Sequence, residues 1–504
     1  MPPISPIDFV VSAYPSRWLP PMLWPPRPLP TAAGSSGRSE HERLLRFGAM
    51  SPQITFIGGG SYQWIPKLLL DIADTPSLAG AHIVIQDIDP RPIPDMVEFV
   101  HHIAAVRGIG FSATGTTDQG EALDGADFVV VCISTGALDS MHHDIAVPER
   151  FGIRQSVGDS VGPGGIVRGL RNIPVMLGIA RDMESWCGDA WLLNLTNPMT
   201  TLTRAVLKET SIRAIGLCHE VTITLHTLSM LLGREAAALR PVVAGVNHLP
   251  FITQLDVDGE DGLERLRALL DDPEALEQPL VIPATAGHEA VSLGGLFTVG
   301  SLLDSNLVKA EMFKRFGVLP AAGDRHLVEF FAGFLTEESE WGGRWGVHLT
   351  SMDDRRQWLS HYLGEFDRLR SAEELPTEPS GELVAAIIDS LIGGEVRHLP
   401  LNIANATQVS DLPADVVVES IVTVDSDGVR GRDVAALPPV LAEQVRRVSA
   451  SQELVVSAAV NGDRSLVLDA MLLDPLAGRI DYDAVARMTD EMLDATSEWL
   501  PQFT

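Results

Sequence analysis

Ile54-Thr55-Phe56-Ile57-Gly58-Gly59-Gly60-Ser61 is the stretch whose reading decides the fold. Four residues suited to a buried strand run straight into three glycines. Such a turn lets backbone approach a pyrophosphate at the N-terminus of a following helix, and a helix is expected over Trp64 to Ile72. A second strand, His82 to Gln86, ends at Asp87, 27 residues after Gly60. An acid at that strand end is placed to meet ribose hydroxyls. Gln63 stands where the fingerprint has its third glycine. The assignment therefore rests on the order strand, loop, helix, strand, acid. Gly58, Gly59, Gly60, Ser61 and Asp87 are the candidate dinucleotide contacts.

Working outward, the same alternation continues. Asp118 to Asp127 is helix-compatible, and Phe128 to Ile133 is a fully apolar strand ending in Ser134-Thr135-Gly136. Ser134 and Thr135 join the candidate cofactor contacts, because ligands of open parallel sheets bind at the carboxyl ends of the strands. A helix from about Asn172 to Cys187 leads to strand Ala190 to Leu195, which closes in Thr196-Asn197-Pro198; strand Arg213 to Leu217 follows. These units predict an α/β protein built on a Rossmann-type doubly wound parallel sheet. Two segments interrupt the pattern. Asp139 to Arg150 carries Asp144, and Gly158 to Gly165 holds four glycines, which reads as a lid or backbone-donor loop.

The last of those strands delivers Cys218-His219-Glu220-Val221, and Gly245-Val246-Asn247-His248 follows about thirty residues on. A thiol and an imidazole at that separation are not a zinc-finger spacing. They can share a cation only if the fold joins two segments, leaving positions open for substrate.

Bulk properties narrow the class. With 504 residues the chain exceeds one small core. The net charge of −30, from 67 acids and 37 bases, argues against nucleic acid or an anionic membrane as partner. Three cysteines, Cys132, Cys187 and Cys218, make a disulfide scaffold a poor reading and a cytoplasmic location the expected one. No run reaches the length of a membrane span. Residues 1–49 hold ten prolines in the first thirty and read as a disordered tail, with Met50 an alternative start. The expected division is a tail over 1–49, a dinucleotide-binding domain over 50–225 and a second domain over 226–504.

Five motifs in register carry a family likeness: Gly-Gly-Gly-Ser at 58–61, Gly-Pro-Gly-Gly at 162–165, Thr-Asn-Pro-Met at 196–199, Cys-His-Glu-Val at 218–221 and Gly-Val-Asn-His at 245–248. Together they resemble glycoside hydrolase family 4, the NAD- and manganese-dependent glycosidases; the resemblance implies a fold like that of lactate and malate dehydrogenases, an NAD-binding domain over 50–225 followed by a mixed α/β catalytic and oligomerisation domain over 226–504. The resemblance implies a reaction with no net oxidation: hydride removal from sugar C3, C2 deprotonation, elimination of the C1 leaving group, water addition and return of the hydride. Most glycosidases instead use two carboxylates. It also implies NAD and Mn²⁺ (or another divalent ion) as cofactors, Cys218 and His248 as metal ligands, and His219 as the acid beside the glycosidic oxygen. Asn197 becomes a substrate contact, Asp144 the acid that supports the base, and a homodimer or homotetramer the assembly.

Some phospho-sugar members use a tyrosine as base. None follows Phe316-Gly317 here, and Gly323-Asp324-Arg325-His326 stands there instead. Asp324 is therefore the candidate base, with Arg325 and His326 lining the sugar. Ser134 replaces the arginine that would meet a sugar phosphate, so the substrate is expected to be a non-phosphorylated small-molecule glycoside. The Cys-His-Glu-Val form resembles the α-glucosidase branch, and Glu220 would repel a nearby anionic substituent. Arg325 keeps an α-glucuronide, α-galacturonide or sulfoquinovoside open, and an α-galactoside is a further alternative. The rivals from other classes are an NAD-dependent 2-hydroxy acid dehydrogenase and a catalytically silent NAD-binding protein.

Overall fold

A computed structural model describes residues 51–280 and 298–503. The tail expected over 1–49, and Met50, lie outside the described residues. Six strands build the first sheet: β1 (Gln53–Ile57), β2 (His82–Gln86), β3 (Ser112–Thr116), β4 (Phe128–Val131), β5 (Trp191–Asn194) and β6 (Arg213–Gly216). They are parallel, in the order β3-β2-β1-β4-β5-β6. This is the doubly wound order, with its switch point between β1 and β4. Their apolar runs reflect burial on both faces. Val129 and Val131 of β4 pack into one core, while Phe128 and Val130 pack into the other. The helix Gly162–Trp186 covers the first face, and Ile65–Ala73 with Ile93–Arg107 cover the second.

A second sheet holds β7 (Leu239–Val246), β8 (Leu249–Val257), β9 (Glu260–Asp261) and β10 (Leu319–Pro320). β7 and β8 form a hairpin in which Val246 pairs with Leu249, so Asn247 and His248 are its two-residue turn. Two-residue hairpins need positive φ, and His248 has φ +62°. The motif Gly-Val-Asn-His is thus a hairpin tip that projects an imidazole.

The chain then returns to the first sheet. β11 (Arg397–Ala404) pairs antiparallel with β6, followed by β12 (Val417–Asp425) and β13 (Gly428–Gly431), giving nine strands. The expected boundary at residue 225 falls inside the helix Glu220–Leu232, and three strands of the later part extend the first sheet.

Two further differences have physical causes. Gly162 begins a helix that runs to Trp186, ten residues before the expected start, so Gly162–Gly165 are its first turn and the loop is only Gly158 to Val161. Glycine is required there by proximity: a Cβ on Gly165 would stand 2.6 Å from the Ser160 carbonyl carbon. The segment Asp139 to Arg150, read as an irregular insertion, lies within the helix Ala137–Arg150.

Candidate active site

The carboxyl ends of β1, β4, β5 and β6 deliver the candidate residues to one edge of the sheet. The glycine loop is built for close approach. Gly58 has φ +78°, and a Cβ there would lie 2.1 Å from the Cys132 carbonyl oxygen. The Gly60 N–H donates to Asp87 Oδ2 at 2.9 Å, and the Asp89 N–H to Asp87 Oδ1 at 3.0 Å. Burial pushes the Asp87 carboxyl up against those donors. Ser61 is fully buried. Across the crevice, the Thr135 N–H donates to Asn172 Oδ1 at 3.1 Å, and Ser134 is half-buried beside it. Gly58 packs on the Cys132 carbonyl and Gly60 on Asp87, while Ser134 and Thr135 follow the neighbouring strand β4; the close backbone of the glycine cradle fits a dinucleotide.

Around His248 the structure gathers a second cluster. Asp159, His248 and His326 are buried, and their ligand atoms all lie within 4.8 Å of one another. The two rings stack with centroids 3.6 Å apart. The Ser160 hydroxyl donates to Asp159 Oδ1 at 2.8 Å and lies 2.8 Å from His248 Nδ1. Asn197 Nδ2 donates to Asp159 Oδ2 at 3.0 Å, and Asn197 Oδ1 is buried with no partner among the described residues. Two imidazoles and a carboxylate suit a first-row divalent ion.

Cys218 is not a member of that trio. It is buried, and burial together with Glu419 and Glu220 pushes its thiol well above the usual range. Asn247, the neighbour of His248 on the hairpin tip, hydrogen-bonds both the Cys218 sulfur and, at 3.3 Å, Glu419 Oε2. The two expected ligands therefore meet through Asn247. A cation would have to displace the thiol proton, as metal binding to cysteine does.

The remaining candidates separate. His219 caps the helix Glu220–Leu232, with Nδ1 3.4 Å from Glu382 Oε1 and its ring stacked on Trp64. Both Asp324 oxygens accept backbone hydrogen bonds, from Val308 at 2.8 Å and Lys309 at 3.0 Å. Burial pushes Asp324 up to about 6. Asp144 is fully buried and held by both terminal nitrogens of Arg171, at 2.8 and 2.5 Å. Its carboxylate is committed to that pair, so the base-supporting role expected for it does not match its partners. Glu220 is likewise engaged: it accepts from the Gly323 N–H and lies 3.8 Å from His326 Nε2.

Four residues emerge only from the structure. Asp159 lies in the stretch read as a bare glycine loop. Glu329 is buried one helical turn after His326; its Oε1 accepts the Val157 and Gly158 N–H groups, its Oε2 has no partner among the described residues, and burial pushes it up to about 7. Glu419 is a buried acid in mid-strand, pushed up to about 8 by burial. Glu382 faces His219. Only Glu419 had a signal in the sequence, an acid inside the apolar run Val416-Val417-Val418-Glu419-Ser420-Ile421-Val422.

A doubly wound sheet with a glycine cradle and a buried imidazole–carboxylate cluster at its carboxyl edge defines an α/β protein of the dinucleotide-binding type. The chain belongs to family 4 of the glycosyl hydrolases: the family model matches residues 53–234, and the model of the family's C-terminal domain matches residues 243–477. It is a glycoside hydrolase, which sets aside the dehydrogenase and silent-binder readings. An α-galacturonidase of Bacillus subtilis (strain 168) is 33% identical over 451 residues, covering 88% of this chain and 96% of that one. An α-glucosidase of Erwinia rhapontici is 27% identical over 470 residues, covering 90% and 99%. The crystal structure of a Bacillus subtilis protein described as a glucosidase superposes with a TM-score of 0.77 at 31% identity, covering 88% of this chain and all of that one.

Proposed function

We propose that this enzyme hydrolyses α-glycosides of a uronic acid, α-galacturonides first, with NAD and a divalent ion (Mn²⁺) as cofactors. The observation that carries the acidic sugar is a cationic surplus beside the cluster. Arg168 and Arg355 both lie near Asp159, and burial together with the neighbouring Arg168 and Arg325 guanidiniums lowers Arg355 to about 10. The other nearby aspartate, Asp144, is already bound to Arg171. Arg325 reaches the Thr350 hydroxyl, lies over the Trp358 ring, and has no acidic partner among the described residues; its Nε is buried without a partner among them. A carboxylate on the sugar would supply the missing counter-charge in the bidentate geometry a guanidinium favours. The α-glucoside expected first gives way to this reading. Glu220, from which repulsion was expected, is turned to the Gly323 N–H and to His326.

When bound, NAD supplies reversible hydride transfer at C3 and the divalent ion polarises the oxygens on C2 and C3. The chain's residues do the rest. Gly58 to Ser61, Asp87, Ser134 and Thr135 hold and aim the dinucleotide. Asp159, His248 and His326 are proposed to hold the cation, with Cys218 added on ionisation. Asn197 offers its unpartnered Oδ1 to a sugar hydroxyl. Asp324 is proposed as the group that takes the C2 proton. Its pKa of about 6 suits a base near neutral pH, and each oxygen keeps a second lone pair beside its backbone hydrogen bond. His219 donates to the departing oxygen.

The test is a panel of 4-nitrophenyl α-galacturonide, α-glucuronide, α-galactoside and α-glucoside with NAD and Mn²⁺. The galacturonide is expected to have the highest kcat/KM. Arg325→Met is expected to lower the uronide-to-neutral ratio by roughly 10- to 100-fold, as for a lost charged hydrogen bond. Preference for the glucoside, or a ratio unchanged in Arg325→Met, would overturn the acidic-sugar reading.

A further inference from the structure

Glu382 belongs to none of the motifs, yet it is tied more firmly than a surface acid needs to be. Its side chain is only 7% exposed. It accepts from Lys67 Nζ at 2.8 Å and lies 3.4 Å from His219 Nδ1. Both partners are fixed by one aromatic ring: the Lys67 ammonium lies 3.8 Å from the Trp64 ring centroid, and His219 stacks on the same ring at 5.8 Å and 25°. The chain bearing Glu382 is pinned as well. The Ser380 N–H donates to Asp71 Oδ1 at 2.9 Å, and the Glu382 N–H donates to the Ser380 hydroxyl at 3.2 Å. Asp71 and Lys67 lie on the helix Ile65–Ala73 that follows the glycine loop. The carboxylate is thus held against the imidazole by the nucleotide-binding half of the molecule.

The other imidazole nitrogen is the second observation. His219 Nε2 is buried and has no partner among the described residues. A buried ring nitrogen without a partner is costly unless a ligand completes it.

We propose that Glu382 is a positioning residue for His219: its carboxylate takes the Nδ1–H and fixes the ring, so that Nε2 is the atom presented to the glycosidic oxygen. The arrangement has the logic of an imidazole oriented by a buried carboxylate. Protons and electrons balance within the reaction. As the C2 carbanion forms the C1=C2 bond, the C1–O pair leaves with the oxygen and takes the Nε2 proton. The Nδ1–H stays on the ring, hydrogen-bonded to Glu382. The water that adds to C1 returns a proton to Nε2. The negative charge of Glu382 stabilises the protonated ring during this cycle, while Lys67 anchors the carboxylate from the other side. The inference rests on the glycosidase reading and extends it to a residue no motif marks.

The experiment uses the NAD- and Mn²⁺-loaded enzyme with 2,4-dinitrophenyl, 4-nitrophenyl and phenyl α-galacturonides. Loss of oriented acid catalysis matters most when the leaving group is poor. Glu382→Gln is expected to lower kcat on the phenyl substrate by about 10²-fold, the lower end for a displaced general acid, and on the dinitrophenyl substrate only slightly. KM and NAD affinity should stay close to those of the parent. Glu382→Asp should recover part of the phenyl activity. In a His219→Gln background, Glu382→Gln should add little, because the two act as one unit. An equal loss on all three substrates, or an undiminished effect in the His219→Gln background, would make Glu382 a structural anchor for Lys67 and overturn the proposal. Parent enzyme inactive on all three substrates would instead overturn the functional reading beneath it.

Discussion

Asp144 has a partner that the chain near it does not reveal. In the sequence it follows His142 and His143 in a segment that interrupts the strand–helix pattern, and only the family resemblance implied a role for it beside the base. In the fold it meets Arg171, one helix away, and both side chains are almost fully excluded from solvent. Arg171 Nε also donates to the Thr135 carbonyl at 3.0 Å, so the pair braces the loop after β4. Removing one member of a buried pair leaves the other charge uncompensated, at a cost of about 3–5 kcal/mol. Asp144→Ala is therefore expected to lower unfolding free energy by about that amount in urea titrations. A loss below about 1 kcal/mol would mean that Arg171 finds water or another acid. The same limit explains what the sequence concealed about the site. Cys218, His219, His248 and Asn197 stood out as candidates because each sits in a short motif, although Cys218 is not in the trio around His248. Asp159, Glu329 and Glu382 were not, because their partners come from segments far off in sequence and nothing local marks them.

At the scale of elements, strands buried on both faces were the most legible, because their apolar runs are continuous. β2 matches its expected bounds, and β1, β4, β5 and β6 differ by one or two residues at their ends. β3 was missed: Ser112-Ala113-Thr114-Gly115-Thr116 is an edge strand with no fully buried residue, so it carries no apolar signal. Helix ends were harder, since glycines at 162–165 read as breakers although tight packing requires them. Asp324 belongs to this scale too. The helix Leu307–Phe316 has no capping side chain at Asn306, and Asp324 serves its first turn from outside through Val308 and Lys309. Losing a cap costs roughly 0.5–2 kcal/mol, whereas losing a general base costs roughly 10²–10⁴ in rate. Asp324→Ala is expected to show both: faster amide exchange at Val308 and Lys309, and loss of solvent-deuterium incorporation at product C2. Faster exchange with C2 incorporation intact would confine Asp324 to the helix and remove it as the base.

For the whole molecule, buried acids and net charge push stability in the same direction with pH. Burial raises Glu419 to about 8, Glu329 to about 7, and Asp324 and Asp474 to about 6. Each is raised above its unfolded value, so between roughly pH 4 and pH 8 the folded chain binds more protons than the unfolded one. Unfolding free energy then falls as pH rises through that window. The net charge of −30 at pH 7 adds self-repulsion that also eases as pH drops. Glu382 runs the other way: Lys67 and His219 outweigh the opposing effect of burial and hold it down to about 2. Its contribution is present above the unfolded pKa and is lost as pH falls through about 2, outside the range where the raised acids titrate most. Cation-free protein is therefore expected to melt higher at pH 6 than at pH 8 in scans at constant ionic strength. A saturating divalent ion should flatten that dependence, because it favours the ionised forms of the groups around it. A melting temperature that rises from pH 6 to pH 8 without the ion would show that these carboxylates are solvated or paired in solution rather than held protonated by burial.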